Sequence, residues 1–417
     1  MNGVKLNVVP TTKFKNTSIT VDFIQPLDYH QFADQAIVSE LMETSNQDYP
    51  KQSQLAKQLS RMYGAGFGTD VLKYGNLHIS RLVISFPNEQ YLPTKESTFK
   101  MALDFLKSVI FKPLATDGQF NATTFELQQQ NTINYVKTIP DDKQFYSVNQ
   151  LKQLYYQGDL NYAGLVFGTV DQLKATTAKS AYDAYLAMVE HAQVQISVLG
   201  NVDEATVTDQ IKTLGFQPRP EMPVDAKVKR TPTEDVTKKA EVQKLNQSKL
   251  DMAYSLPIYY DQPIHYAALL FNALFGGTPQ SKLFRNVREK HSLAYYADST
   301  FSSLTGLLMV QTGINSADYQ KVIDIVNDQL VAIQHGDFDA EIVENIKADL
   351  INSRLASLDS QRQLLNQQLV EGILNRHTTV DEWCDNVRAV TKEDIISVSK
   401  QVQLQSIYFL DGRDDIE

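Results

Sequence analysis

The sequence predicts an α+β protein made of two similar α/β half-domains, each an antiparallel-rich sheet with helices packed on one face, related by internal duplication and enclosing a cavity. Three observations carry this. A chain of 417 residues is too long for a single core. The order strand, helix, short helix, hairpin, long helix occurs twice, and its spacing repeats in detail: Ser53-x-Leu55-x3-Leu59-x3-Tyr63-x3-Phe67 aligns with Ser281-x-Leu283-x3-Val287-x3-His291-x3-Tyr295. Between the copies, Gln217-Pro-Arg-Pro-Glu-Met-Pro223 and the mixed-charge run Lys227 to Lys239 read as an extended linker. The expected organisation is a first half over 1–216, a linker over 217–243 and a second half over 244–417.

In the first copy, Ser18 to Ile24 alternates apolar and polar residues as a half-buried strand does, and Pro26 ends it. Ala33, Ala36, Ile37 and Leu41 fall on one stripe of a helix spanning about 32–43. Leu55 and Leu59 mark a short helix from Ser53 to Arg61. A hairpin turns near Tyr74-Gly75-Asn76, with Leu82, Ile84 and Phe86 alternating on its return strand. Phe99, Ala102, Leu103, Leu106 and Ile110 define an amphipathic helix from Lys95 to Phe111. Gln193 to Gly200 is a short buried strand, and Asp203 is placed to cap the helix after it.

The second copy repeats this with a strand near 250–256, a helix over 264–275, a helix opened by Pro279, strands near 293–300 and 305–313, and a helix from Ser316 to Ile333. Gly336 stops that helix and Asp339 can cap the next, which is expected to run to about Leu374 with Leu350, Leu365 and Leu369 inward. Gln403 to Leu410 reads as the last strand.

Composition excludes several classes. A formal net charge of −10 disfavours nucleic acid or an anionic membrane as the main partner. No apolar run is long enough to span a bilayer, and Met1 to Pro10 lacks the apolar core of a signal peptide, so a cytoplasmic location is expected. Cys384 is the only cysteine, which rules out an intrachain disulfide and a cysteine-based metal cluster.

The stretch around which the second copy is organised is Phe284-Arg-Asn-Val-Arg-Glu-Lys-His-Ser-Leu-Ala-Tyr-Tyr296, reached through the loop holding Gly276 and Gly277. Leu283, Phe284 and Val287 recur at helical spacing, which leaves Arg285, Arg288 and Glu289 near the opposite face. From Leu293 the period changes to two, with Leu293, Tyr295 and Ala297 on one side and Ala294, Tyr296 and Asp298 on the other. Arg288 and Tyr295 thus flank a helix-to-strand corner. Taken alone, they read as a surface ion pair and a half-buried strand aromatic.

Gly276-Gly277, Ser281-x-Leu283-Phe284, Val287-Arg288-Glu289-Lys290 and Ser292-Leu293-Ala294-Tyr295 resemble the C-terminal signature of the insulinase/pitrilysin/mitochondrial processing peptidase family, and the similarity in spacing extends over most of the chain. The resemblance implies that Arg288 and Tyr295 reach a zinc-bound peptide, with Gly276 and Gly277 at the substrate-binding loop. Active members of that family hold zinc with two histidines four apart on the first helix, a glutamate base between them and a distal glutamate. Two imidazoles at that spacing share one helical face, which makes the motif specific. Here, counting back from Asp48-Tyr49-Pro50, the positions hold Ala36, Ser39 and Glu40, and the distal position is Tyr135. The seven histidines are scattered singly, so no local ligand framework replaces the lost one.

The expected function is therefore that of a catalytically inactive zinc-peptidase homologue of the family's non-catalytic bacterial branch. It would bind peptide and supply Arg288 and Tyr295 to a homologous zinc-bearing partner subunit, with no cofactor of its own and the zinc in the partner. The alternative is a non-enzymatic peptide-binding or structural core subunit.

Overall fold

The computed structural model describes residues 2–93, 96–221 and 225–412. Strand β1 is Val4–Pro10, β2 is Asn16–Pro26, and the hairpin is β3 (Gly66–Tyr74) and β4 (Leu77–Pro87). A two-residue ladder, β5 (Ala115–Thr116) with β6 (Gln119–Phe120), decorates the loop after the helix Thr98–Phe111. The expected start of that helix at Lys95 lies outside the described residues, as do Met222 and Pro223 of the expected linker. The first sheet is completed by β7 (Gln193–Gly200) in the order β1-β7-β2-β4-β3. β1 runs parallel to β7, and the remaining neighbours are antiparallel.

The second sheet contains β8 (Thr237–Gln243), β9 (Ser248–Ser255), β10 (Ala294–Ser302), β11 (Leu307–Ile314) and β12 (Gln403–Gly412). Taken from its parallel edge, its order is β8-β12-β9-β11-β10, with β8 parallel to β12 and the other pairs antiparallel. This repeats the first sheet strand for strand, in chain order and in direction. The repeat of spacing seen in the sequence is a repeat of topology.

The chain packs as two units, each containing a segment from the opposite half. One unit holds the described residues of Met1–Thr138, Leu165–Ala226 and Ser357–His377; the other holds Ile139–Gly164, Lys227–Ala356 and the described residues of Thr378–Glu417. The expected boundaries at 216 and 244 miss both exchanged segments. Residues 237–243, expected to end the linker, form edge strand β8. The helix expected to continue to Leu374 breaks between Ala340–Ser357 and Gln361–Leu374, where the Ser360 hydroxyl caps the second piece by accepting from the Gln363 N–H.

In the second unit, alternation along each strand separates two cores. Leu250, Met252, Val310 and Ile407 face the helices that precede and follow the hairpin. Ala253, Tyr408 and Leu410 face the other way, onto Leu151 and Tyr155 of the exchanged helix Lys143–Tyr155. In the first unit, the exchanged helix Gln361–Leu374 covers β7 and β2, the equivalents of β12 and β9. There the covered face is polar. Gln195 Nε2 donates to the Gln368 carbonyl at 2.6 Å, and Arg81 binds both Asp22, with Nε 2.5 Å from Oδ1, and Asn366. Each sheet therefore carries an exchanged helix on the face opposite its main helical layer. Among the described residues no helix is long and apolar enough to cross a membrane.

Candidate functional site

The helix Phe32–Thr44 lies against the first sheet with Ala33, Ile37 and Leu41 buried. This orientation turns Ala36, Ser39 and Glu40 toward a cavity of about 380 Å³, and Tyr135, on the helix Ala122–Thr138, lines the same cavity. All four positions inferred from the spacing of the motif thus converge on one place. The rest of the lining is Thr69, Asp70 and Val71 from β3, Asn131 and Thr132 from the Tyr135 helix, and Phe167. Sequence reasoning missed Phe167. It sits in a loop with no periodic signal, and only its edge-to-face contact with Tyr135, centroids 5.2 Å apart, marks it.

Electrostatically the cavity is acidic. Burial, and then the neighbouring Glu43 carboxylate, raise the pKa of half-buried Glu40 above its ordinary value. Glu43 itself is engaged, its Oε2 accepting from Thr69 N–H at 2.8 Å and from the Thr69 hydroxyl at 2.9 Å. Asp70 stands at the rim, with Arg81 and Arg362 near enough to offset part of its burial. The donor set does not fit zinc, because Glu40 is the sole ligand-type side chain among Ala36, Ser39, Glu40 and Tyr135. Among the described residues no three His, Cys, Asp or Glu side chains gather as a metal site would require.

The second unit presents the other candidate residues. The helix leading into the corner does not begin at Pro279, which lies in a turn. Ser281 caps it, its Oγ accepting from the Phe284 N–H at 3.3 Å, and Phe284–Lys290 then winds as a π-helix. A second π segment, Ala273–Gly277, precedes the turn. Wide turns of this kind cost hydrogen-bond geometry and concentrate at functional sites. Here the widening keeps Val287 buried and leaves Arg288 exposed, its guanidinium 4.7 Å from the centre of the Phe284 ring. Among the described residues the Arg288 side chain has no hydrogen-bond or ion-pair partner.

Tyr295 is 68% exposed. The simple alternation expected there fails, because β10 bulges between Ala294 and Tyr296: Ala294 pairs with Ile314 and Tyr296 with Gly313, so Tyr295 is the extra residue. Ala297, expected on the side of Tyr295, is buried in the core. Gly276 is buried beneath β10, where a Cβ would lie 2.6 Å from the Ser299 amide nitrogen, while a Cβ on exposed Gly277 would lie 2.7 Å from Asn272 Nδ2. The close approach of the loop to the β10 backbone explains Gly276, whereas at Gly277 the nearest atom is the movable end of the Asn272 side chain.

Comparison with known proteins places this arrangement. The family described as peptidase M16 inactive domain matches residues 175–350. The probable inactive metalloprotease YmfF of Bacillus subtilis (strain 168) is 31% identical over 419 residues, 98% of this chain and 96% of the relative. The crystal structure of a conserved protein from Enterococcus faecalis V583 superposes with a TM-score of 0.94 at 35% identity, covering 100% of this chain and 98% of that one. A peptidase M16 inactive domain from Pseudomonas fluorescens shares the fold, with a TM-score of 0.79 at 16% identity over 99% of this chain and 96% of its own. The chain belongs to the insulinase/pitrilysin (M16) peptidase family, as an inactive homologue of the YmfF-like branch that lacks the His-x-x-Glu-His motif.

Proposed function

We propose that this chain is the non-catalytic subunit of a two-chain peptidase: it holds peptide and supplies Arg288 and Tyr295 to a homologous zinc-bearing partner. The observation that carries the reading is an asymmetry. In the first unit the four positions that correspond to the family's metal site line one cavity without a zinc-binding set among them, whereas the second unit presents an exposed arginine and tyrosine where a π-helix meets a bulged strand. Side chains left without polar partners are free to donate hydrogen bonds to a bound group. On a peptide carbonyl under attack, the Arg288 guanidinium and the Tyr295 hydroxyl would stabilise the oxygen as it gains charge, and the loop at Gly276 and Gly277 would receive the adjoining main chain. The zinc chemistry would belong to the partner.

The test is reconstitution with a zinc-bearing homologue and a peptide-cleavage assay. Arg288→Ala and Tyr295→Phe should each lower turnover about a hundredfold, equivalent to roughly 3 kcal/mol of transition-state stabilisation, without weakening the complex. Unchanged turnover in both variants, with the complex intact, would leave a peptide-binding or structural subunit.

A further inference from the structure

The cavity of the first unit has chemistry of its own that the loss of metal ligands does not explain. We propose that it is a receptor for a basic side chain, an ammonium or guanidinium group carried on an apolar stem. It rests on the first unit alone and holds with or without a zinc-bearing partner.

The argument is one of complementarity. At about 380 Å³ the cavity is at the small end of ligand pockets and roomy for one side chain. Its lining residues include no basic one, and Glu40 is its charged side chain without a cation, since Asp70 pairs opposite Arg81 and has Arg81 and Arg362 near it. Glu40 is the anchor: half-buried, with no hydrogen-bond or ion-pair partner for its carboxylate among the described residues, it has lost water without gaining a cation. An apolar ligand would desolvate it further and leave it unpaired. A divalent cation would find too few ligands. An organic cation answers both demands, because Tyr135 and Phe167, edge to face at 81°, line the cavity with the Glu40 carboxylate and offer aromatic surface on which an alkyl stem can lie and a cation can rest. The exposure of Tyr135, 53%, leaves its ring accessible to such a ligand. The bottom, Ala36, Ser39 and Thr132, is small and buried, so the depth of the cavity is not filled from below.

Two sources present this chemistry: a lysine within a peptide, and a free diamine. The experiment is calorimetric titration of the full chain at low ionic strength with four probes. These are an acetylated, amidated pentapeptide with a central lysine, the same peptide with norleucine, 1,5-diaminopentane, and zinc chloride. The expected result is that at least one of the two ammonium probes binds at least about tenfold more tightly than the norleucine peptide. Tighter binding of the lysine peptide identifies a peptide ligand, and tighter binding of the diamine a free amine. Glu40→Gln, which keeps the shape of the side chain, should erase the preference, and Tyr135→Leu should weaken the ammonium probe several-fold. Three results overturn the proposal: no saturable binding of either ammonium probe, a preference that survives Glu40→Gln, or zinc saturating near one equivalent per chain through Glu40.

Discussion

Two aspartates, one in each sheet, occupy comparable places and have come to different terms with burial. Asp22 on β2 and Asp251 on β9 both lie on the face covered by the exchanged helix, 0% and 1% exposed. Asp22 is held by Arg81 from the neighbouring strand, its two oxygens 2.5 and 3.2 Å from Nε and Nη2, and Arg81 in turn binds Asn366 of the exchanged helix. Asp251 has no such cation. It accepts from the Ser147 hydroxyl of the exchanged helix at 2.5 Å, with Lys249 on its own strand and the like-charged Asp298 on β10 nearby. Burial pushes its pKa up to about 7. The duplicated scaffold thus preserves the location of a buried carboxylate while its surroundings have diverged: burial raises the pKa of both, but Asp22 has the Arg81 guanidinium against it and Asp251 has a serine hydroxyl.

The difference between the halves can be broken experimentally. The largest effect should come from Arg81→Met, which strands a buried carboxylate: loss of about 3–5 kcal/mol in denaturant unfolding of the first unit, against little change for the second. Next is the pH dependence of the second unit. The folded pKa of Asp251, about 7, lies above the usual unfolded carboxylate value of roughly 3.9, so its stabilising contribution is complete below about pH 4. That contribution is lost as pH rises through about 7. Asp251→Asn should flatten the slope over this window, measured as melting temperature against pH, and an unaltered slope would assign it to other groups. Gly276→Ala should cost roughly 1–3 kcal/mol, because its Cβ meets the β10 backbone. Smallest is Arg288→Ala, which should change stability by under about 1 kcal/mol, because the side chain is exposed.

The same contrast governs the aligned corner positions. Phe67, which aligns with Tyr295, packs edge to face on Phe105 with centroids 5.0 Å apart, whereas Tyr295 is pushed out by a bulge. The sequence conveys such features when they are local. The strand at 18–24, the alternation in 82–86 and the Asp203 cap appear as expected, because each depends on neighbours a few residues away; but Ser18 to Ile24 is buried on both faces, and Ala36, expected on one stripe with Ala33, Ile37 and Leu41, turns to the cavity. Ala36, Ser39, Glu40 and Tyr135 are picked out by the resemblance, and the structure brings these four side chains to one cavity. Features that depend on distant partners were not readable. β1 and β8 are parallel edge strands whose pairing needs β7 and β12, and the exposed, lysine-bearing sequence of β8 looks like linker for the same reason that it suits an edge. The exchange of Lys143–Tyr155 and Gln361–Leu374 leaves no periodic trace, since an amphipathic helix does not record which sheet it covers. Nor does the bulge at Tyr295, one residue long, alter the composition of its strand.

If the cavity of the first unit is a peptidase metal site that lost only its ligands, restoring them should restore metal. The quadruple variant Ala36→His, Ser39→Glu, Glu40→His, Tyr135→Glu places two imidazoles four residues apart on one helical face, with a carboxylate from the second helix. Elemental analysis after dialysis should find about one tightly held zinc per chain in this variant. A folded variant that retains none would mean that these four side chains do not converge as the structure has them, and that the cavity is not the vacated metal site.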